Sequence, residues 1–205
     1  MNILIVKSSA QGAASVSNRL ADHFAAAVLA AEPAGKIVVR DVGRNPLPHL
    51  VEDTIVGIRG EAQSETELAT RQISDELLAE VQAADLVVIA SPMYNFGISS
   101  TLKTWFDFVL RPRIAFRYSE AGPEGLLGGR KVVVIESRAG AYEAGNAMDG
   151  QEPHLRAMLG FAGLTDATFV RAEGLAFGEE AAKAALAKAE SELTALATTR
   201  LKLAA

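Results

Sequence analysis

Apolar, largely β-branched runs recur along the chain and alternate with segments of helical period. Five such runs stand out: NILIV at 2–6, KIVVRD at 36–41, DLVVIA at 85–90, KVVVIES at 131–137 and ATFVRA at 167–172. At least three are continuously apolar rather than alternating, the pattern of strands buried on both faces of a parallel sheet. Between them the apolar residues fall every three or four positions. Leu20, Phe24, Ala27, Val28 and Ala31 form one stripe over 17–31, and Leu68, Ile73, Leu77, Leu78 and Val81 form another over 66–84. A third, over 98–110, holds Ile98, Leu102, Trp105, Phe106 and Val109. Segments 152–163 and 179–203 complete the set, the last being built from the strong helix formers Ala, Glu and Lys.

Strict alternation of strand and helix predicts an α/β fold: one domain over 1–205, with a doubly wound five-stranded parallel sheet and helices on both faces. Five strands suit the order 2-1-3-4-5, whose ligand crevice lies past the C-terminal ends of strands 1 and 3. Two connections, 42–65 and 111–130, are longer than ordinary loops and are expected to be functional or to carry structure of their own.

That geometry directs attention to the loops after strands 1, 3 and 4. The first, KSSAQGAASVSN, places Ser8, Ser9, Ser15, Ser17 and Asn18 around the start of a helix. Unpaired N–H groups, the positive end of the helix dipole and serine hydroxyls together suit a phosphate ester. Ser15 or Ser17 also suits the N-cap, so for one serine capping is the competing reading. Neither the P-loop pattern nor the glycine fingerprint of a dinucleotide grip is present. Acidic residues that would bind magnesium at the end of strand 1 are also missing, since Lys7, Ser8 and Ser9 stand there. A mononucleotide phosphate held without metal survives.

The loop after strand 3, PMYNFG, adds Met93, Tyr94 and Phe96, whose polarizable and π surfaces suit a flat ring. Asn95 and Gly97 are expected to take the unusual backbone conformations of this turn. After strand 4, Ala139 and Gly140 permit close approach of a flat ligand. A phosphate grip beside a ring cradle describes flavin mononucleotide. Trp105 and Phe106, on the third helical stripe, read as core.

Composition narrows the alternatives. Hydrophobic residues make up 49% and charged residues 22%, ordinary for a globular protein. A net charge of −5 with scattered Lys and Arg argues against the basic patch of a nucleic-acid or membrane-surface binder. With no cysteine, neither disulfides nor thiolate metal sites exist. The apolar run at the N-terminus is too short for a signal or membrane segment, so the cytoplasm is expected.

Several blocks resemble the FMN-dependent NADH-azoreductases, also described as NADH:quinone oxidoreductases, of the flavodoxin-like superfamily. They are KSS at 7–9, SVSN at 15–18, PMYNFGISSTLKTWFD at 92–107, FRYSEAGPEGLLGGRK at 116–131, ESRAGAY at 136–142, LGFAGL at 159–164 and AEGLAFG at 172–178. The resemblance implies that Ser9, Ser15, Val16 and Ser17 hold the FMN phosphate. It implies that Met93, Tyr94, Asn95 and Phe96 cradle the ring, and that Ser137, Arg138, Ala139 and Gly140 close its other edge. Tyr118 and Phe161 match aromatics of a substrate pocket, and Arg59 an arginine linked to NADH preference. Ala139 and Ser99 depart from relatives that carry Gly and Pro there. A homodimer is implied, with NADH or NADPH as donor and quinones or azo compounds as acceptors. Hydride would pass through flavin N5, two electrons at a time and in ping-pong order, with no catalytic side chain. A one-electron carrier of the same fold and a non-enzymatic binding module are the competing classes. His23 and His154 receive no role, and that of His49 stays open.

Overall fold

A computed structural model describes residues 1–199 of the chain. Five strands form one parallel sheet: β1 (Asn2–Lys7), β2 (Lys36–Asp41), β3 (Leu86–Pro92), β6 (Lys131–Ser137) and β7 (Ala167–Ala172), in the order β2-β1-β3-β6-β7. Counting sheet strands alone, this is the expected 2-1-3-4-5. A separate antiparallel hairpin, β4 (Phe116–Ser119) and β5 (Gly122–Gly125), occupies the long 111–130 connection. The other long connection holds α2 (Glu52–Arg59). The remaining helices are α1 (Val16–Ala31), α3 (Glu65–Ala83), α4 (Ser100–Val109), α5 (Glu152–Ala162) and α6 (Glu179–Thr199). Residues 200–203 of the expected C-terminal helix lie outside the described residues.

The side-chain period of two in the strands sorts the core into two clusters. Leu4, Val6, Val87, Ile89, Val132 and Val134 pack with Leu77 and Val81 of α3, Leu102 and Trp105 of α4, and Leu155 of α5. Ile3, Ile5, Val88, Val133 and Ile135 pack with Leu20, Phe24 and Val28 of α1 and with Ala189 and Leu193 of α6. Each fully buried aliphatic side chain stabilises the fold by about 1.5–3 kcal/mol, so the three central strands anchor the molecule.

Differences from the sequence reading fall at the margins. KIVVRD is an edge strand, and Val38 and Val39 are half exposed. Leu68 and Ala31 leave their stripes for solvent. The 19 residues of α3 span about 28 Å, against about 20 Å for a six-residue strand. Helix ends therefore overshoot the sheet, and Leu68 in the first turn of α3 and Ala31 at the end of α1 have nothing to cover. Helix α5 stops at Ala162 because Gly163 takes the left-handed C-terminal position, φ 83°. Among the described residues no helix is long and apolar enough to cross a membrane, and no group of acidic or histidine side chains is placed to hold a metal ion.

Candidate functional site

The loops after β1, β3 and β6 meet at the C-terminal edge of the sheet and are bonded to one another. The Tyr94 hydroxyl lies 3.0 Å from Ser9 Oγ and accepts from the Ala10 N–H at 3.1 Å. The Met93 N–H donates to the Ser137 carbonyl at 2.8 Å, and the Gly150 N–H to the Phe96 carbonyl at 2.9 Å. Loops far apart in sequence thus form one surface.

At its first corner, the serines divide their work. Ser8 is fully buried and its hydroxyl donates to the Ala90 carbonyl at 2.8 Å, so it fastens β1 to β3. Ser15 is the N-cap of α1, its hydroxyl accepting from the Asn18 N–H at 3.2 Å. Ser17 stands one residue inside the helix, its hydroxyl 3.2 Å from that of Ser15. Capping is therefore the duty of Ser15. The N–H groups of Val16 and Ser17, at the start of the helix, have no intrahelical acceptor. Lys7 is paired with Asp22 at 2.6 Å and so is not a free cation for this corner. Buried Asn18 donates to the Gly12 carbonyl, while its Oδ1 is buried without a hydrogen-bond partner. This donor set fits a phosphate ester, and it would hold the phosphate of FMN.

The second corner is a tight turn in which Tyr94 and Gly97 exchange both backbone hydrogen bonds, at 2.9 and 3.1 Å. Its central residues are left-handed: Asn95 at φ 47° and Phe96 at φ 71°. The sequence reading gave this conformation to Asn95 and Gly97, and Phe96 in place of Gly97 is a correction. Two consecutive residues at positive φ make the reverse turn that matches the twist of its flanking chain, and Gly97 lies outside that pair. Holding a bulky residue there costs about 1–3 kcal/mol, and such outliers gather at ligand clamps. The turn presents Phe96 with 48% of its surface exposed.

The third corner conceals an ionic network. Ser137 is buried, and Ala139 and Gly140 lie on the loop surface. The Arg138 side chain is 1% exposed and turned inward. It meets Glu136 at 2.9 Å, Asp149 at 3.0 Å and Glu173 at 3.0 Å, and donates from Nε to Gln151 at 2.9 Å. Its side chain is therefore not presented to a ligand, and its backbone N–H donates to the Ala172 carbonyl at 2.9 Å. Gln151 in turn donates to the Ser91 carbonyl at 2.8 Å, and Arg171 joins Glu136 to Glu152. Burial pushes the Glu136 carboxyl up to about 7 against the pull of Arg138. Sequence reasoning missed this network. The one local signal was Glu136 and Arg138 two residues apart at the end of β6.

Tyr118 and Phe161 are brought together, ring centroids 6.4 Å apart, with Phe116 packed on both. Arg59 stands elsewhere: its Nη1 donates to the Leu110 carbonyl at 3.3 Å, and it lines a cavity that neither aromatic reaches. His49 lies 3.2 Å from the Thr104 hydroxyl on the flank of α4, His23 pairs with Thr194, and His154 sits on α5.

A family model described as a flavodoxin-like fold matches residues 1–197. The chain is 50% identical over 206 residues to the FMN-dependent NADH:quinone oxidoreductase of Hyphomonas neptunium, an alignment covering 100% of this chain and 99% of that protein. It is 45% identical over 197 residues to the protein of the same name from Azotobacter vinelandii, covering 95% and 98%. Among solved structures, an azoreductase from Bacillus anthracis superposes with a TM-score of 0.88 at 28% identity, covering 97% of this chain and 99% of that one. An FMN-dependent NADH-azoreductase of the same organism in complex with FMN does so at 0.83 and 26%, covering 96% and 99%.

Proposed function

The chain belongs to the flavodoxin-like family of FMN-dependent NADH:quinone oxidoreductases, and from that premise we propose that it reduces quinones and azo compounds with NADH, two electrons per turnover and in ping-pong order. FMN, when bound, supplies the redox chemistry at its ring. The chain's own residues bind, orient and shield. The Ser9 and Ser17 hydroxyls and the N–H groups of Val16 and Ser17 would hold the phosphate, with Ser15 capping the helix that presents them. Met93, Tyr94, Asn95 and Phe96 would support one side of the ring, and the backbone of Ser137, Arg138, Ala139 and Gly140 its other edge. Tyr118 and Phe161 would wall the pocket for flat substrates, while Arg59 bears on the choice between NADH and NADPH. No side chain is asked to be a nucleophile.

The observation that carries this reading is the Tyr94 hydroxyl, which ties the ring-side turn to the phosphate-side loop through Ser9 and Ala10. Residues 1–205 read as one domain, and the doubly wound arrangement is supported by two apolar cores that recruit different helices. A homodimer with both chains contributing to each pocket completes the proposal.

Balance sets the stoichiometry. One NADH and one proton reduce a quinone to its hydroquinone, whereas cleaving an azo bond to two amines takes two NADH. The test is NADH oxidation by the FMN-loaded protein with a benzoquinone and with an azo dye. Double-reciprocal plots against NADH at several quinone concentrations should be parallel, because donor and acceptor use one pocket in turn. Intersecting lines would sink the single-pocket mechanism.

A further inference from the structure

We propose that Gly150 and Gln151 form a positioning clamp for the flavin ring, fastening from behind both the turn after β3 and the loop after β6 that would border it. Their role rests on the crevice holding FMN as proposed. Gln151 stands at the N-cap of α5, yet its side chain does not cap the helix. Asp149 takes that task, its Oδ1 accepting from the N–H groups of Gln151 at 3.0 Å and Glu152 at 3.2 Å. The Gln151 side chain is thereby released into the interior, where it is fully buried.

Both ends of its amide are engaged. Nε2 donates to the Ser91 carbonyl at 2.8 Å and to the Ser91 hydroxyl at 3.0 Å, while Oε1 accepts from Arg138 Nε at 2.9 Å. Ser91 lies near the end of β3, just ahead of the ring-side turn, and Arg138 follows the last residue of β6. One residue before Gln151, the Gly150 N–H donates to the Phe96 carbonyl at 2.9 Å. A Cβ on Gly150 would stand 2.8 Å from that same oxygen. Phe96 is held at φ 71°, a conformation that persists only where its surroundings impose it. Two consecutive residues of one segment thus fix both loops, and Gln151 does so without surface of its own to offer a ligand.

What the clamp aligns is a set of backbone dipoles. The carbonyls of Arg138, Ala139 and Gly140 accept from the N–H groups of Leu175, Ala176 and Gly174 at 3.3, 3.0 and 2.8 Å. In a planar trans peptide the N–H points opposite to the carbonyl. The N–H groups of Ala139 and Gly140 are therefore turned away from the segment after β7. In the order β3-β6-β7 that is the side of the ring-side turn. Donors aimed at a flavin ring favour its reduced form, which carries the greater negative charge. Alignment of this loop bears on the flavin potential as well as on affinity, and Gln151 acts through it.

Two variants separate the clamp from mere stability. Gln151→Met keeps the length of the side chain and removes its hydrogen bonds. Gly150→Ala, at an exposed position, leaves the buried amide in place and presses on the Phe96 carbonyl. Wild type and variants are titrated with FMN and riboflavin under conditions where each is folded, and the two-electron potential of bound FMN is measured. In both variants the affinities for FMN and riboflavin should fall together, about tenfold, because the ring contact loosens while the phosphate corner is untouched. In Gln151→Met the reduced form should lose about tenfold more than the oxidised one, lowering the potential by about 30 mV. If Gln151→Met does not fold, Gly150→Ala decides by the same two affinities. Variants that unfold more easily but keep wild-type affinities and potential overturn the positioning role, as does a loss confined to FMN. Wild-type protein that takes up neither flavin overturns the FMN crevice itself, and the clamp with it.

Discussion

At the N-terminus of α1 the Ser15 hydroxyl is committed to the Asn18 N–H, which leaves the Ser17 hydroxyl without a capping task. The two serines should therefore fail differently. Ser17→Ala would remove the proposed bond to a charged phosphate, about 1.5–3 kcal/mol, so FMN affinity should drop roughly 10- to 150-fold with little change in stability. Ser15→Ala should cost about 0.5–2 kcal/mol of stability as a lost cap. Riboflavin, which lacks the phosphate, should bind wild type and Ser17→Ala alike in fluorescence titrations; an equal loss for both flavins would overturn the role of Ser17. Behind the third loop, Glu136 makes a pH prediction with a definite sign. Its folded carboxyl keeps its proton up to about 7, while the unfolded one releases it near 4.5. Between those values the folded state binds more protons, so this group lowers stability as pH rises through the window and adds no slope above it. His154, whose pKa burial lowers with help from Lys103, tilts stability the other way as pH rises. The readout is therefore the difference between two proteins. Urea midpoints of Glu136→Gln should lack the downward slope that wild type carries between those pH values. Identical slopes would mean that the Glu136 carboxylate is ionised throughout.

The hairpin shows how an element with little intrinsic preference is held by its neighbour. Strand β5 reads GPEG, which has no β-former, yet it pairs with β4 and lies against the C-terminus of α5. A Cβ placed on Gly125 would come 2.0 Å from the Gly163 nitrogen and 2.3 Å from the Ala162 carbonyl carbon. Only a glycine permits that approach, and the Leu127 N–H completes it by donating to the Ala162 carbonyl at 2.9 Å. Gly125→Ala should push the hairpin from α5 at a cost of about 1–3 kcal/mol, lowering the thermal midpoint by roughly 3–10 °C. Because Tyr118 moves with the hairpin, KM for quinone should rise while FMN affinity holds. A quinone KM and midpoint equal to wild type would show that the contact is slack. The same comparison explains what the sequence made legible. Central strands declared themselves through continuous apolar runs, and α1, α3 and α4 through stripes that do bury Leu20, Leu77 and Trp105. Helix α2 did not, since it buries only Gly57 and Ile58 and its N-cap is Val51. PMYNF stood out because aromatics rarely fill a connector. The inward turn of Arg138 left no comparable trace, for its partners Asp149, Gln151 and Glu173 belong to other segments and only the fold assembles them.

For the whole molecule, the question is what covers the aromatic surface raised by the hairpin. Tyr118 is 76% exposed, an unusual state for an aromatic that already touches Phe116 and Phe161. Phe96 at the ring-side turn and Phe177 in the loop before α6 are exposed as well, at 48% and 68%. Apolar surface left this open marks a binding face. A self-complementary contact between two copies, related by a two-fold axis, covers it twice with one set of residues. Such a contact would also place Tyr118 where a flat substrate needs a second wall opposite the flavin, since one chain supplies the ring cradle and leaves its outer side open. Assembly and substrate binding are then coupled. Light scattering on the flavin-loaded protein should return twice the chain mass. Tyr118→Asp, which puts a charge in the centre of that face without touching the loops at Ser17 or Tyr94, should weaken the dimer at least tenfold while the chain keeps its FMN. Quinone turnover should then fall on dilution, in step with the monomer fraction. A wild-type protein that scatters as a monomer, or a dilution series in which turnover per flavin stays constant as dimers part, would overturn the shared pocket.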